Sequence, residues 1–183
     1  MRAAFLHKLA SSWLPELKFA LLYRGSRDGM TPCSFHKHCD RRGATLTLVR
    51  SSNGFVFGGF TNSNWDKGKP RGKLDAGAFL FSVTSPYVDA LVRYELKQEG
   101  RLRPGQSPMT SIQTGSELGP TFGVSQGADL ALVAKSASRP FDGNSHCRVG
   151  TTYADAIGKG HSSFSGTPEF VPIDIEVFRV FSD

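Results

Sequence analysis

Several groups of residues in this chain have the side-chain types and the spacing that enzymes use. Residues 123–127 read Gly-Val-Ser-Gln-Gly and match the G-x-S-x-G pattern of a nucleophilic serine. Asp142 or Asp155 and then His161 follow in the order of a hydrolase triad. That serine must stand between a strand and a helix, whereas residues 128–133 read as an apolar strand. We therefore interpret the pattern as a loop between strands.

A second group has the residue types of a metal site, in the pattern C-x-x-H-x-H-C: Cys33, His36, His38 and Cys39. Zinc requires four converging ligands, but on a helix His38 would point away from the other three side chains. Phe35 and Cys39 lie four residues apart and are expected to face the core. The two histidines are then expected at the surface or its boundary, and no metal or other cofactor is expected.

Cys39 also raises the possibility of thiol chemistry. Its nearby basic residues could lower the thiol pKa: His36, His38, Arg41 and Arg42. A helical cysteine at a core position is more often a small apolar side chain, and the flanking residues do not match a peroxiredoxin motif. A thiol-dependent, peroxide-reactive protein that uses Cys39 remains the alternative interpretation of function.

Two further charged groups have simpler explanations. Asp174 and Glu176 share one face of a probable strand, as a carboxylate pair for glycoside chemistry would, but the solvent-facing polar side of an antiparallel strand explains them more simply. Residues 67–73 carry Lys67, Lys69, Arg71 and Lys73 without the spacing of a phosphate-binding loop. With Trp65 as an anchor, these four cations form a candidate surface for an acidic partner, and a solubilising loop is the competing explanation.

The elements that would position these residues are short. Thr31 is a suitable helix N-cap, and Pro32 suits the first helical position. Asn53-Gly54 between two alternating apolar runs predicts a β-hairpin with a type I′ turn. Gly58 and Gly59 in the second strand indicate a bulge or a close backbone approach.

The remaining pattern is that of an all-β core with few helices. Apolar or alternating runs predict strands at residues 17–23, 78–83, 90–96, 110–114, 128–134 and 172–181. Residues 100–105 read as a broad turn, and residues 136–168 as a loop with little core. Many short strands between Gly and Pro turns favour a mainly β, α+β fold: a two-sheet antiparallel β-sandwich with a few short peripheral helices.

Composition excludes several classes of protein. The chain has 183 residues, 39% of them hydrophobic and 21% charged, as in a globular domain. No apolar run approaches the roughly 20 residues of a membrane span. Three cysteines, an odd number, favour a reducing compartment, most simply the cytoplasm. The acid-free residues 1–15 resemble a mitochondrial presequence, which is the alternative location, but Phe5, Leu6, Leu9 and Trp13 recur at helical spacing.

The positive charge is concentrated in the first part of the chain. The net charge is +6, and residues 1–73 hold 13 Lys and Arg against 4 Asp and Glu. Such asymmetry is typical of a face that meets nucleic acid, anionic lipid or an acidic protein partner, and a solvated surface with no partner is the competing explanation. Nucleic acid is not expected, because the basic residues are scattered and no aromatic stacking motif accompanies them.

An ordered series of short motifs resembles the TLDc domain family. The matching segments are Leu21-Leu22-Tyr23, Ser26-Arg27-Asp28-Gly29, Thr45 to Val49, Val56 to Thr61 with Trp65, Ala78 to Ser82, Gly119 to Gly123 with Asp129-Leu130, and Ile175 to Phe178. Each segment is weak alone, but together they follow the family's order over nearly the whole chain. Residues 124–126 and 136–168 depart from the family pattern.

The resemblance implies a single TLDc domain over residues 1–183, with a helix near residues 4–14 and a β-sandwich over residues 17–182. It implies a non-enzymatic, protein-binding module that is associated with resistance to oxidative stress. Several members bind and regulate the vacuolar-type proton-pumping ATPase, which is the expected partner. We assign the following residues to turn and hairpin geometry rather than to contact: Arg27, Asp28, Gly29, Gly54, Gly58 and Gly59.

Overall fold

Eleven strands and three α-helices make up the part of the chain that the computed structural model describes, residues 2–97, 110–124 and 127–182. The strands are β1 (Lys18–Arg24), β2 (Thr45–Ser51), β3 (Val56–Thr61), β4 (Arg71–Lys73), β5 (Phe79–Thr84), β6 (Val92–Glu95), β7 (Ile112–Thr114), β8 (Leu118–Phe122), β9 (Leu130–Val133), β10 (His146–Cys147) and β11 (Pro172–Phe181). The helices are α1 (Arg2–Trp13), α2 (Gly25–Asp28) and α3 (Pro32–Cys39), with a 3₁₀ turn at Gly160–Ser162. The turn predicted at residues 100–105 lies outside the described residues.

Two antiparallel sheets form a sandwich, which confirms the predicted fold class. The larger sheet has the strand order β1-β11-β2-β3-β5-β6, and the smaller one β10-β9-β8-β7-β4. β11 therefore lies inside the larger sheet, between β1 and β2. No helix in the described part of the chain is long and apolar enough to cross a membrane.

The main core lies between the two sheets. Alternate residues of the larger sheet, such as Val49, Phe57 and Leu80, are buried in the same cluster as Phe122 and Leu130 of the smaller sheet. Successive side chains of a strand point to opposite faces of the sheet, so every second residue faces this core.

The outer face of the larger sheet is covered by α1. The other alternate residues, including Leu46 and Phe60, are buried together with Leu9 of α1. The Trp13 ring meets the Phe79 ring edge-on, with 5.8 Å between the ring centroids. Because both faces of this sheet are covered, β2 is apolar or neutral at almost every position.

The β2–β3 hairpin was predicted correctly, but its turn type was not. Ser51 N–H donates to Phe55 O at 3.0 Å, so the connection has three residues, 52–54. Gly54 N–H donates to Ser51 O at 2.9 Å, and Gly54 has a φ of 91°. Asn53 is not among the residues with positive φ, so the turn is not type I′. The geometry is that of a three-residue loop that ends in a left-handed glycine.

Gly59 lies in β3 where the Phe122 ring of the smaller sheet packs against the strand backbone. A Cβ atom on Gly59 would lie 2.6 Å from Cζ of the Phe122 ring in the smaller sheet. One residue before the glycine pair, the β3–β5 register shifts between Val56 and Phe57. Because Gly59 has no side chain, the Phe122 ring can pack directly against its backbone.

Residues 25–29 close the end of β1. Arg24 N–H donates to Asp28 Oδ2 at 2.9 Å, and the Tyr23 hydroxyl donates to Gly29 O at 2.8 Å. The Arg27 guanidinium donates to both oxygens of Asp28 at 2.7 Å. These hydrogen bonds lower the pKa of the Asp28 carboxyl to about 2.

Residues 136–168 contribute more buried side chains to the core than their loop-like sequence predicts. Tyr153 and Phe164 are fully buried, and the Phe164 ring stacks on Phe57 with 5.0 Å between the ring centroids. The prediction of an irregular segment is correct apart from β10 and the 3₁₀ turn, but the prediction of little core is wrong. The abundance of Ser and Gly concealed a few large aromatic side chains.

Candidate functional site

α3 begins and packs as its sequence predicts. The Thr31 hydroxyl accepts a hydrogen bond from Ser34 N–H at 3.1 Å, and Pro32 is the first helical residue. Phe35 and Cys39 face the core and are fully buried. The helix is therefore held by one face, and its opposite face borders solvent.

His36 joins α3 to the β7–β8 connection instead of lying at the surface as predicted. The side chain is 4% exposed. Its Nε2 atom lies 2.9 Å from Gly115 O and 3.0 Å from Leu118 O, and its Nδ1 atom lies 2.7 Å from Asp40 Oδ1. All three partners are acceptors, so the ring donates to all of them only when both nitrogens carry a proton. This role is structural.

Trp65 anchors the segment after β3 and is not an exposed contact residue. Its side chain is fully buried, and the indole N–H donates to Thr45 Oγ1 at 2.8 Å. The ring meets Phe35 and Phe122 edge-on at 5.6 and 5.7 Å between centroids. The expectation that Trp65 anchors a partner is therefore corrected, since an indole with a hydrogen-bond partner is stable inside a core.

Asp66 organises the basic segment that follows Trp65. Its Oδ2 atom accepts from Arg71 Nη2 at 2.7 Å and lies 2.8 Å from Lys73 Nζ. Burial alone would raise the pKa of the Asp66 carboxyl, but the hydrogen bonds from Lys73 and Arg71 lower it below its usual range. Two of the four predicted contact cations are thus already paired within the chain.

A basic groove separates α3 from residues 64–73. Lys67 and Lys69 are exposed on one side, and Lys37 and Arg41 are exposed on the other. Asp40 and Asp66 also line the groove, which has a volume of about 1390 Å³. We call this surface the basic groove. It contains the four predicted cations, and it adds Lys37 and Arg41, which the sequence analysis did not assign to a binding surface.

The backbone fixes the two sides of the basic groove relative to each other. Arg41 N–H donates to Trp65 O at 3.1 Å, and Lys67 N–H donates to Asp40 Oδ2 at 3.0 Å. Arg41 has a φ of 57°, unusual for a residue with a Cβ atom, which turns the chain from α3 toward Trp65. The spacing of charged residues along the sequence gave no signal of this contact.

The cysteine and histidine cluster on α3 does not converge on a metal position. Cys33 is exposed and Cys39 is buried, so they lie on different sides of the helix. His36 is directed at the β7–β8 connection, and His38 Nδ1 lies 2.8 Å from Ser34 O. Within residues 2–97, 110–124 and 127–182, no group of three His, Cys, Asp or Glu side chains could hold a metal ion.

The structure contradicts the interpretation of Cys39 as a reactive thiol. The side chain is fully buried, and burial together with the Asp40 carboxylate raises the pKa of the Cys39 thiol far above its usual value. Peroxide reacts with accessible thiolates, and this thiol is neither accessible nor ionised at neutral pH.

The hydrolase pattern also lacks its required setting. Ser125 lies outside the described residues, but the chain continues from Leu130 as strand β9, which pairs antiparallel with β8. Asp155 accepts hydrogen bonds from Gly158 N–H at 3.0 Å and Gly160 N–H at 2.7 Å and closes a local turn. The described residues on either side of Ser125, 110–124 and 127–182, do not form the strand–turn–helix geometry of a nucleophilic serine.

Asp174 and Glu176 are buried around Arg24 and do not face solvent as predicted. Asp174 Oδ2 lies 3.2 Å from Arg24 Nε, and Asp174 Oδ1 accepts from Ser26 N–H at 3.1 Å. Glu176 Oε1 lies 3.5 Å from the same Arg24 Nε. Burial would raise the pKa of Asp174, but hydrogen bonds from Ser26 and Arg24 lower it. The pair fastens β11 to the β1–α2 corner.

Comparisons with known proteins point to one family. A family model described as the TLDc domain matches residues 4–181. The chain is 39% identical over 72 residues to MTOR-associated protein MEAK7 of Xenopus laevis, and those residues are 39% of this chain and 15% of that protein. It is 44% identical over 50 residues to MTOR-associated protein MEAK7 of Danio rerio, 27% of this chain and 11% of that protein.

A longer match links the chain to a second kind of protein. It is 25% identical over 197 residues to TBC1 domain family member 24 of Xenopus tropicalis, covering 92% of this chain and 34% of that protein. The chain therefore spans between about a tenth and a third of the length of these relatives. The family match covers the sandwich, α2, α3, the basic groove and all of α1 except its first two residues.

Proposed function

Because this chain belongs to the TLDc domain family, we propose that it acts as a non-enzymatic module that binds a protein partner and regulates it. The observation that carries this proposal is the family match over residues 4–181. Two relatives are named for their association with MTOR, which supports protein binding as the mode of action. A rigid sandwich that presents a charged groove suits such a role.

The partner that we propose is the vacuolar-type proton-pumping ATPase, which several members of the family bind. Docking on one subunit would shift the balance between assembled and disassembled pump, and resistance to oxidative stress would follow from that regulation. Lys67, Lys69, Arg71 and Lys73 are the proposed contact residues, with Trp65 supporting them from the core. A cytoplasmic location fits both this partner and the three free cysteines.

The test is binding and activity with purified vacuolar-type ATPase from the same organism. Stoichiometric binding, with a changed rate of ATP hydrolysis or release of the soluble sector, is the expected result. A pump that neither binds the protein nor changes its activity would contradict the proposal. The intact mass of the native protein tests the mitochondrial alternative. If residues 1–15 are a presequence, they are cleaved off and the measured mass is lower by that amount.

A further inference from the structure

We propose that the basic groove binds an extended, carboxylate-rich segment of the partner protein between α3 and residues 64–73. This inference rests on the proposed function and names the chemistry of the partner. It treats the basic groove as one site with two sides rather than as a charged loop.

The charges of the basic groove separate into a paired set and an unpaired set. Asp66 pairs with Arg71 and Lys73. The unpaired set is exposed, and its side chains form no hydrogen bond or ion pair with any residue of the described ranges: Lys37, Arg41, Lys67 and Lys69. Four unpaired cations that face one groove from two sides attract an anionic ligand and disfavour a cationic one.

The backbone that carries the unpaired cations is fixed before any ligand arrives. The two sides of the groove are joined by the Arg41 N–H to Trp65 O and Lys67 N–H to Asp40 Oδ2 hydrogen bonds, of 3.1 and 3.0 Å. Trp65 lies beneath them in the core. A ligand therefore orders side chains rather than backbone when it binds, which lowers the entropic cost of binding.

The shape and chemistry of the basic groove favour a protein segment over nucleic acid. Single-stranded nucleic acid is bound by exposed aromatic rings on which bases stack, and the aromatic rings that line this site, Trp65 and His36, are buried. A recessed groove between a helix and a loop admits a narrow chain more readily than a flat lipid surface. Carboxylates spaced along an extended chain can reach both pairs of cations.

The experiment measures fluorescence anisotropy of a labelled peptide of alternating Glu and Ser at physiological salt. Two variants each reverse one side of the groove, Lys37→Glu/Arg41→Glu and Lys67→Glu/Lys69→Glu. The control, Lys159→Glu/Arg179→Glu, makes the same change in net charge at exposed residues away from the groove. We expect each groove variant to bind on the order of tenfold more weakly than the control. Thermal unfolding establishes that all three variants are folded.

Two results would overturn the proposal. One is an equal loss of peptide binding in the control and in the groove variants, which would indicate attraction by net charge alone. The other is tighter binding of an oligothymidine or of phosphatidylserine vesicles than of the peptide at the same salt, which would assign the groove to another class of ligand.

The same variants separate this proposal from the proposed function. If the vacuolar-type ATPase binds the natural protein and both groove variants equally, the groove proposal fails and the docking function stands. If the peptide binds in the groove but the ATPase does not bind at all, the groove stands and the assignment of the pump fails.

Discussion

At the scale of single residues, buried groups of this protein are held by the backbone rather than poised for reaction. Asp129 is the clearest case. Its fully buried carboxylate accepts hydrogen bonds from four consecutive backbone N–H groups, those of residues 150–153, over distances of 2.8 to 3.1 Å. The carboxylate fixes the path of a loop that has little regular structure.

The substitution Asp129→Asn places an amide N–H₂ among these donors and leaves some of them without an acceptor. We expect a loss of about 2 to 4 kcal/mol in the free energy of unfolding, because each unsatisfied buried donor is costly. Urea unfolding followed by tryptophan fluorescence measures the loss. The control Glu117→Gln changes an exposed carboxylate and should leave the urea midpoint unchanged, and an equal midpoint for both variants would contradict this account.

The three thiols should differ sharply in reactivity. Cys33 is exposed, whereas Cys39 and Cys147 are fully buried, and burial raises the pKa of the Cys147 thiol to about 12. A disulfide reagent such as DTNB should therefore label one thiol rapidly in the folded protein and all three after unfolding. Cys33→Ser should remove the rapid phase, and Cys39→Ser should not. Rapid labelling of Cys39 would revive the thiol interpretation.

At the scale of elements, the close approach of β3 to β8 makes a specific prediction for two glycines. Gly59→Ala places a methyl group 2.6 Å from the Phe122 ring, so the ring or the sheets must shift. Gly54→Ala meets no atom within 4 Å and incurs only the strain of a φ of 91°. We expect about 1 kcal/mol of destabilisation for Gly54→Ala and about 2 to 3 kcal/mol for Gly59→Ala.

A double variant tests the cause of the larger effect. Phe122→Leu should recover part of the loss in the Gly59→Ala background, because the smaller side chain leaves room for the new methyl group. It should recover nothing with Gly54→Ala, since these two positions do not touch. Additive effects in both backgrounds, measured as a double-mutant cycle in urea, would contradict the proposed contact.

Sequence patterns predicted the helices and strands better than the contacts between segments that are distant in the chain. The cap at Thr31 and the β2–β3 hairpin follow from local chemistry, which the sequence displays directly. The burial of Trp65 and the contact between Asp40 and Lys67 depend on which distant segments meet, and charge spacing does not report that. The basic groove was therefore predicted on one side only.

At the scale of the whole molecule, hydrogen-bonded carboxylates make the fold sensitive to acid. The pKa values of Asp28, Asp66, Asp75 and Asp174 are all lowered in the folded protein, for Asp28 to about 2. A carboxyl with a lowered folded pKa stabilises the fold above its unfolded pKa of about 4 and loses that contribution as the pH falls toward its folded value. Burial raises the pKa of Asp129, so the contribution of this group to stability changes with pH in the opposite direction. It is one group against the four whose pKa is lowered.

We therefore expect the urea midpoint to decline slightly below about pH 6.5, because burial lowers the folded pKa of His146, and to fall most steeply below about pH 4. Unfolding curves at pH 7, 5, 4 and 3 measure this decline. Asp174→Asn should lower the midpoint at neutral pH and make its fall with acid less steep, because one titrating group is gone. A midpoint that does not change between pH 5 and pH 3 would contradict the role assigned to these carboxylates.

The position of β11 has a consequence for folding during synthesis on the ribosome. Residues 172–181 supply a strand that lies between β1 and β2, two strands that are synthesised more than a hundred residues earlier. Until residues 172–181 leave the exit tunnel, the facing edges of β1 and β2 have no strand between them, and their backbone N–H and C=O groups there lack ladder partners. The larger sheet therefore stays incomplete until residues 172–181 have been synthesised, so its closure is a late event in the folding of this domain.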